Sequence, residues 1–375
     1  MMGWTDFDLP TPALVLDRDR VVDNHDRMRE TTAAHGVALW PHAKTHRMAD
    51  FGRLQLDRGA DGLTVAKLGE AEAFAAAGAR RLFVAYPVGG RHVPERAVSL
   101  AQHVDELVLG VDSLVGARAL ADAFAGAGRV ATVFLAIDTG LGREGVVPAE
   151  APALAREIAS LEGIDLAGLY THEGSVYASA DGAERERESL RIARDLVALG
   201  DTLRSTGIAI REISLGASPS AASVAAVPGV TQVRPGIYAT GDLGQVALGV
   251  MPLEATAIRV VSTVVSRSAP DRGCLDAGSK ALSGDLLTAS ALRGRYPGHG
   301  LIEGHPGWTI DRLSEEHGWL RWTGTGEPTP LPVGTRVSIV PNHACTAFAA
   351  LRRAYVAEAG EVVAVWDAFG PGTSA

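Results

Sequence analysis

The sequence predicts an α/β fold, a (β/α)8 barrel followed by a mostly β C-terminal domain. Three observations predict it. From about residue 20 to residue 245, eight short β-rich runs alternate with longer stretches rich in Ala, Leu, Arg and Glu, each run but the last being followed by a helical segment. After residue 250 the runs are β-branched, lack helical spacing and are punctuated by Gly and Pro. The 375-residue length accommodates one large domain and a smaller one. A doubly wound open sheet would alternate in the same way, and the count of eight favours the barrel.

Taken in order, the predicted barrel strands are residues 37–40, 62–66, 82–88, 106–111, 130–137, 166–171, 212–215 and 232–238. The amphipathic stretches between them include 68–77, 113–125 and 184–205. The barrel is expected over residues 20–248, and the β domain over 249–375 together with 1–19, because the early run 13–17 reads as a strand that joins it. A barrel places reactive groups at the C-terminal ends of its strands and in the loops that follow. Lys44 ends the first strand, Asp138 and Arg143 follow the fifth, and Tyr170 and His172 end the sixth. "SLGASPSA" (214–221) follows the seventh, and "RPGIYATGD" (234–242) contains the eighth. The loops after the last two strands of such barrels commonly bind phosphate, and small residues there let backbone N–H groups approach an anion.

The totals exclude several function classes. A net charge of −9 would repel nucleic-acid phosphates. No apolar run reaches the about 18 residues of a membrane helix, and the N-terminal stretch has neither a basic nor an apolar leader segment. Two cysteines make no disulfide framework. The expectation is a cytoplasmic protein without nucleic-acid or membrane partners.

Of the 35 Lys and Arg residues only three are lysines, Lys44, Lys67 and Lys280. An amine can lose its proton and attack a carbonyl, whereas guanidinium stays protonated. This raises the interest of Lys44, which sits in "WPHAKTHR" between His42 and His46. In an extended chain residues 42, 44 and 46 share one face. A second pair, His343 and Cys345 in "PNHAC", is also spaced by two, and imidazole and thiolate are good zinc ligands.

With these residues in place, the sequence resembles the D-threonine aldolase and D-serine dehydratase family, pyridoxal-phosphate enzymes of the alanine-racemase-like fold. The likeness covers nearly the whole chain. It rests on "LPTPALVLD" (9–17), "PHAKTH" (41–46), "DTGLGREG" (138–145), "RPGIY" (234–238), "LDAGSKALSGD" (275–285), "EEHG" (315–318) and "PNHAC" (341–345). One departure is Trp40, where many relatives carry arginine, and it is expected to alter the wall beside the cofactor.

The resemblance implies a PLP-binding barrel in which Lys44 joins the cofactor as an imine and His42 lines the pocket. Arg143 resembles the arginine that contacts the cofactor's phenolate oxygen. Tyr170 and His172 are candidates to flank the pyridine ring. Ser214, Gly216, Ser218 and Ser220, with Gly236, Ile237 and Tyr238, are candidates for the phosphate cradle. His343 and Cys345 are the implied divalent-metal pair, with zinc expected first and manganese second. Asp276, Lys280, Glu316 and His317 are poised between the site and the surface, and relatives of this fold build the site across a homodimer.

The function so implied is a lyase acting on a small-molecule D-amino acid. Retro-aldol cleavage of a D-β-hydroxy-α-amino acid to glycine and an aldehyde is placed first. D-serine dehydratase chemistry, giving pyruvate and ammonia, is the alternative and uses the same residues. A racemase would have no use for the metal pair, and small PLP carriers lack the C-terminal β domain.

Overall fold

The computed structural model describes residues 8–179, 181–287, 290–370 and 373. The chain divides into two compact units, one of Arg27–Gly236 with Phe369–Ala375, the other of Met1–Asp26 with Ile237–Ala368. No helix among the described residues is long and apolar enough to cross a membrane.

Strand β1 (Ala13–Asp17) belongs to the second unit. The first unit is the barrel. Its strands are β2 (Ala38–Leu39), β3 (Leu63–Val65), β4 (Arg81–Pro87), β5 (Glu106–Val111), β6 (Ala131–Ala136), β7 (Ile164–Tyr170), β8 (Glu212–Leu215) and β9 (Gln232–Val233). All neighbouring pairs are parallel, in the order β2-β9-β8-β7-β6-β5-β4-β3. The ring closes between β2 and β3 through a parallel bridge of His42 with Thr64. There the Thr64 N–H donates to Pro41 O at 2.8 Å and the Thr64 hydroxyl to Trp40 O at 2.9 Å.

Helices cover the ring because their apolar residues recur at helical spacing. In Gly182–Ser205 the buried positions Ser189, Ile192, Ala193, Leu196, Gly200 and Leu203 form one stripe. Asp181 starts that helix by accepting the Glu184 N–H at 2.8 Å. Gly200 lets it lie close to the sheet, since a Cβ there would stand 2.7 Å from Ile213 Cδ1. The barrel interior is filled by Trp40, Phe83, Val108, Phe134, Ala136, Ala167 and Tyr170, as a closed eight-stranded barrel requires. Trp40 therefore lies in the interior packing and not in a wall of the strand-end loops.

One predicted strand ends sooner than expected, and the turn after the first is not extended. The run 232–238 is a strand only over Gln232–Val233. Pro235 has no N–H to continue the ladder, and the Arg234 N–H turns to Gly216 O at 3.1 Å. Residues 42, 44 and 46 do not alternate on one strand face. The ladder from Ala38, Trp40 and His42 N–H to Thr231, Val233 and Pro235 O (2.8–2.9 Å) ends at His42, and Ala43–Thr45 coils into a 3-10 turn.

The second unit is a mostly β assembly. β1 pairs antiparallel with β10 (Ile258–Ala269) and parallel with β16 (Arg353–Glu358). β10 also pairs with β11 (Arg272–Leu275) and β15 (Arg336–Val340). β12 (Leu301–Ile302), β13 (Trp308–Leu313), β14 (Gly318–Trp322) and β17 (Glu361–Asp367) complete it. Its core gathers Val260, Val264, Leu275, Trp308, Ile310, Leu320 and Ile339.

Replacing Trp40 by Ala empties the barrel interior and is expected to cost about 3–5 kcal/mol in a urea denaturation series. His46 is buried, stacked 4.2 Å over Phe51, and bonded to Gln55. Burial lowers its pKa from 6.5 to about 3, against a smaller upward pull from Gln55 and Met48. Between those values the unfolded chain binds the proton and the folded chain does not. Its contribution is whole above pH 6.5 and declines as pH falls toward 3, by at most about 1.4 kcal/mol per pH unit. The urea midpoint should drop between pH 7.5 and pH 5, and His46→Gln should reduce that drop.

Candidate active site

In the barrel unit, Lys44 stands in the turn that terminates the first barrel strand. The turn is locked from several sides. The Arg47 N–H closes onto Ala43 O at 2.9 Å, and Arg47 adopts a positive φ of 54°. Its guanidinium lies 2.7 Å from Glu70, a fully buried carboxylate that also accepts the Ala66 N–H at 2.8 Å. Gly236 packs against the turn so closely that a Cβ would stand 2.7 Å from Thr45 Oγ1. His46, by contrast, is spent on packing with Phe51 and Phe74.

His42, His172, Lys44, Arg143 and Arg234 share one electrostatic neighbourhood. Burial holds the His42 imidazole well below 6.5, and Lys44, Arg234 and His172 add to the effect. His172 is lowered to about 3 by burial, then by Lys44, Arg143 and Arg234. Both imidazoles are neutral at working pH, set among cations. Tyr170 stands edge-on to Phe83 at 5.2 Å in the barrel interior, and burial keeps its phenol protonated.

Arg143 is delivered by a stiff loop. Asp138 Oδ1 accepts the N–H groups of Gly140, Leu141 and Gly142 at 2.9–3.1 Å, and these bonds, that of Gly142 foremost, lower its pKa. The half-exposed Arg143 guanidinium pairs with Glu144 at 2.5 Å.

The loop 214–221 is built differently from a row of free hydroxyls. The Ser214 hydroxyl is buried, donating to Gln232 and accepting from Arg234 Nε at 2.7 Å. Gly216 has φ +101°, and a Cβ there would stand 2.8 Å from Val233 Cγ1. Ser218 is buried. The Ser220 hydroxyl donates to Glu173 Oε1, which also accepts the Ala217 N–H at 2.7 Å. Glu173 and Arg234 were not singled out from the sequence. Arg234 is buried, with Nη2 donating to Thr171 O at 2.5 Å and its guanidinium 5.5 Å from the Phe83 and Tyr170 ring centres. Arg234 lies within the quoted motif "RPGIY", but a buried ion pair or brace reads in sequence like a surface charge.

These residues fit pyridoxal phosphate. The single amine stands among cations and neutral imidazoles, suited to a ligand with phosphate and phenolate charges. Gly216 and Gly236 keep the backbone bare of side chains. His42 Nδ1 is buried with no hydrogen-bond partner among the described residues.

In the second unit, His343 and Cys345 do not lie on a strand. β15 ends at Val340, His343 is the extended N-cap (φ −143°, ψ 112°), and Cys345 is in the first turn of helix Ala344–Leu351. The Cys345 side chain lies beside the His343 imidazole and raises its basicity. His343 Nδ1 meets Asp285 Oδ2 at 2.7 Å. Burial pulls the His343 pKa down, but Cys345, Asp285 and the charge of Asp242 outweigh it and raise it to about 10. Asp242 is buried, holds the Ala344 N–H at 3.0 Å and the Gln245 N–H at 2.8 Å, and has its pKa raised by that burial. An imidazole nitrogen beside a thiol is a donor set suited to a divalent metal. Among the described residues no group of three or more His, Cys, Asp or Glu is gathered for a metal.

Other candidate residues have partners within the second unit or at the surface. Tyr238 Oη bonds to His25 Nδ1 at 2.7 Å, and Ile237 O accepts the Gly241 N–H at 2.7 Å. Asp276 accepts from Thr11, Ser262 and the Thr263 N–H. Lys280 forms an exposed pair with Glu316 at 2.6 Å. Lys67 lies 3.7 Å over the Tyr86 ring.

Residues 16–244 match the family model of the alanine racemase N-terminal domain, and residues 257–357 that of the putative serine dehydratase domain. The chain is 35% identical to D-threo-3-hydroxyaspartate dehydratase of Delftia sp. (strain HT23), over 96% of this chain and 97% of that one. It is 32% identical to D-threonine aldolase of Arthrobacter sp, over 95% and 91%. A solved D-threo-3-hydroxyaspartate dehydratase with a cysteine replaced by alanine, in the metal-free form, superposes with a TM-score of 0.88 at 32% identity, covering 96% of this chain and 98% of that one. The chain belongs to the D-threonine aldolase and D-serine dehydratase family, pyridoxal-phosphate-dependent lyases on the alanine racemase fold.

Proposed function

We propose that the chain is a pyridoxal-phosphate- and divalent-metal-dependent lyase acting on D-β-hydroxy-α-amino acids. The observation that carries the reading is Lys44, the one amine among neutral imidazoles and arginines at the end of the first barrel strand. Pyridoxal phosphate, when bound, supplies an electron sink for charge at the substrate's α-carbon. A divalent metal, zinc before manganese, supplies a Lewis acid for the β-hydroxyl.

The chain's own residues do the rest. Lys44 Nζ would hold the cofactor covalently, and its free amine would be the base for the substrate's α-proton. His42 and His172, held neutral, line the pocket without adding charge to it. Arg143 would supply the positive charge that favours the cofactor's ionised phenolate. Gly216, Ser218 and Gly236 offer backbone and hydroxyl donors to the phosphate, while the Ser214 and Ser220 hydroxyls and the Tyr238 phenol hold the scaffold. His343 and Cys345 hold the metal.

Elimination of water, leaving an oxo acid and ammonia, has the better support. The dehydratase relative has the higher identity, 35% against 32% for the aldolase. Retro-aldol cleavage is the second reading, supported by the likeness to D-threonine aldolase.

Lys44→Ala and Lys44→Arg should both lose the visible absorbance of the bound cofactor and nearly all turnover. Arginine keeps the charge but cannot form the imine, so a persistent band in either variant overturns the Lys44 assignment. The reaction is decided by product analysis. From D-threonine, 2-oxobutanoate and ammonia are expected for elimination, acetaldehyde and glycine for cleavage. His343→Ala should keep the absorbance band but lose metal and turnover, and full activity in that variant removes the metal from the reading.

A further inference from the structure

We propose that Asp285 is the positioning residue of the metal histidine, fixing which imidazole nitrogen faces the metal. This inference rests on the reading of His343 and Cys345 as metal ligands. Asp285 is the last residue of the "LDAGSKALSGD" motif. The function has absorbed none of that motif, since Asp276 braces β10 and Lys280 pairs with Glu316 at the surface.

The geometry points one way. Asp285 Oδ2 lies 2.7 Å from His343 Nδ1, so the carboxylate accepts the Nδ1 proton. Nε2 is then the ring atom left to face a metal, offering its lone pair once its proton is displaced, with Cys345 beside the ring. A carboxylate behind a ligating imidazole sets its tautomer and ring orientation and strengthens it as a donor.

Asp285 is itself held in place. The Thr346 hydroxyl donates to the same Oδ2 at 3.2 Å. Asn342 Nδ2 donates to the Asp285 main-chain oxygen at 3.0 Å and to Gly298 O at 2.9 Å. The Asp285 N–H donates to Ser283 Oγ at 3.1 Å. Residues on either side of His343 thus grip the loop that carries its partner. The Asp285 and His343 side chains are 45% and 40% exposed, where an ion pair adds little stability. Orientation is the consequence that remains.

The test uses the holoenzyme stripped of metal and titrated with Co²⁺, followed by the visible bands of thiolate-ligated cobalt, with Zn²⁺ affinity from competition against a chromophoric chelator. Asp285→Ala should weaken both metals by about 10- to 100-fold and shift the cobalt bands, with the cofactor absorbance unchanged. Asp285→Asn keeps an oxygen acceptor and should recover part of the loss. Either variant binding Co²⁺ as tightly as the unaltered enzyme, with unchanged bands, overturns the inference. His343→Ala separates the two readings. If it still binds the metal, the ligand assignment is wrong. If it loses the metal while Asp285→Ala keeps full affinity, only the positioning role is lost.

Discussion

The barrel depends on how its first strand is closed into the ring. The N–H groups of Ala38, Trp40 and His42 bond to β9 and its extension, and Thr64 ties the other edge to Trp40, Pro41 and His42. A parallel ladder of this kind leaves no free edge. It also fixes where regular structure stops. Pro235 accepts the last bond from His42, Gly236 packs onto Thr45, and the chain must turn. Lys44 stands at that turn because the ladder ends there.

Buried charge makes the turn and the neighbouring loop rigid. Glu70 is fully buried against Arg47 and the Ala66 N–H. Glu173 binds Ala217 and Ser220, and Arg234 binds Ser214 and Thr171. An unpaired buried charge is costly, so each holds its partners tightly, and removing one member strands the other. The same burial explains the two neutral imidazoles, because desolvation disfavours their charged forms and the nearby cations act in the same direction.

In the second unit, the turn carrying His343 and Cys345 is held by backbone bonds on one side and Asp285 on the other. Leu243 and Gly244 N–H groups donate to Pro341 and Asn342 O at 2.9 and 3.1 Å, and Asp242 takes the Ala344 N–H. A strand-to-helix junction brings two side chains together here that the sequence spacing assigned to a strand face. The expected strand face is replaced by an extended N-cap and the first turn of a helix.

The sequence by itself determined the alternation of strands and helices, the change to a β-rich texture after residue 250, and the residues able to do chemistry. Lys44, His42, Arg143, His172, Gly216, Gly236, His343 and Cys345 are all legible because their residue types are uncommon in those contexts or recur in motifs. Tertiary structure alone decided which hydroxyls and charges are tied to partners. Ser214, Ser220 and Tyr238 look like ligand-binding hydroxyls in sequence, yet their oxygens are taken by Gln232, Glu173 and His25. Glu173, Arg234 and Asp285 look like surface charges, yet they brace the loops. The reason is physical. A hydroxyl or a charge is defined by its partners, and those partners lie from 18 to 213 residues away in the chain.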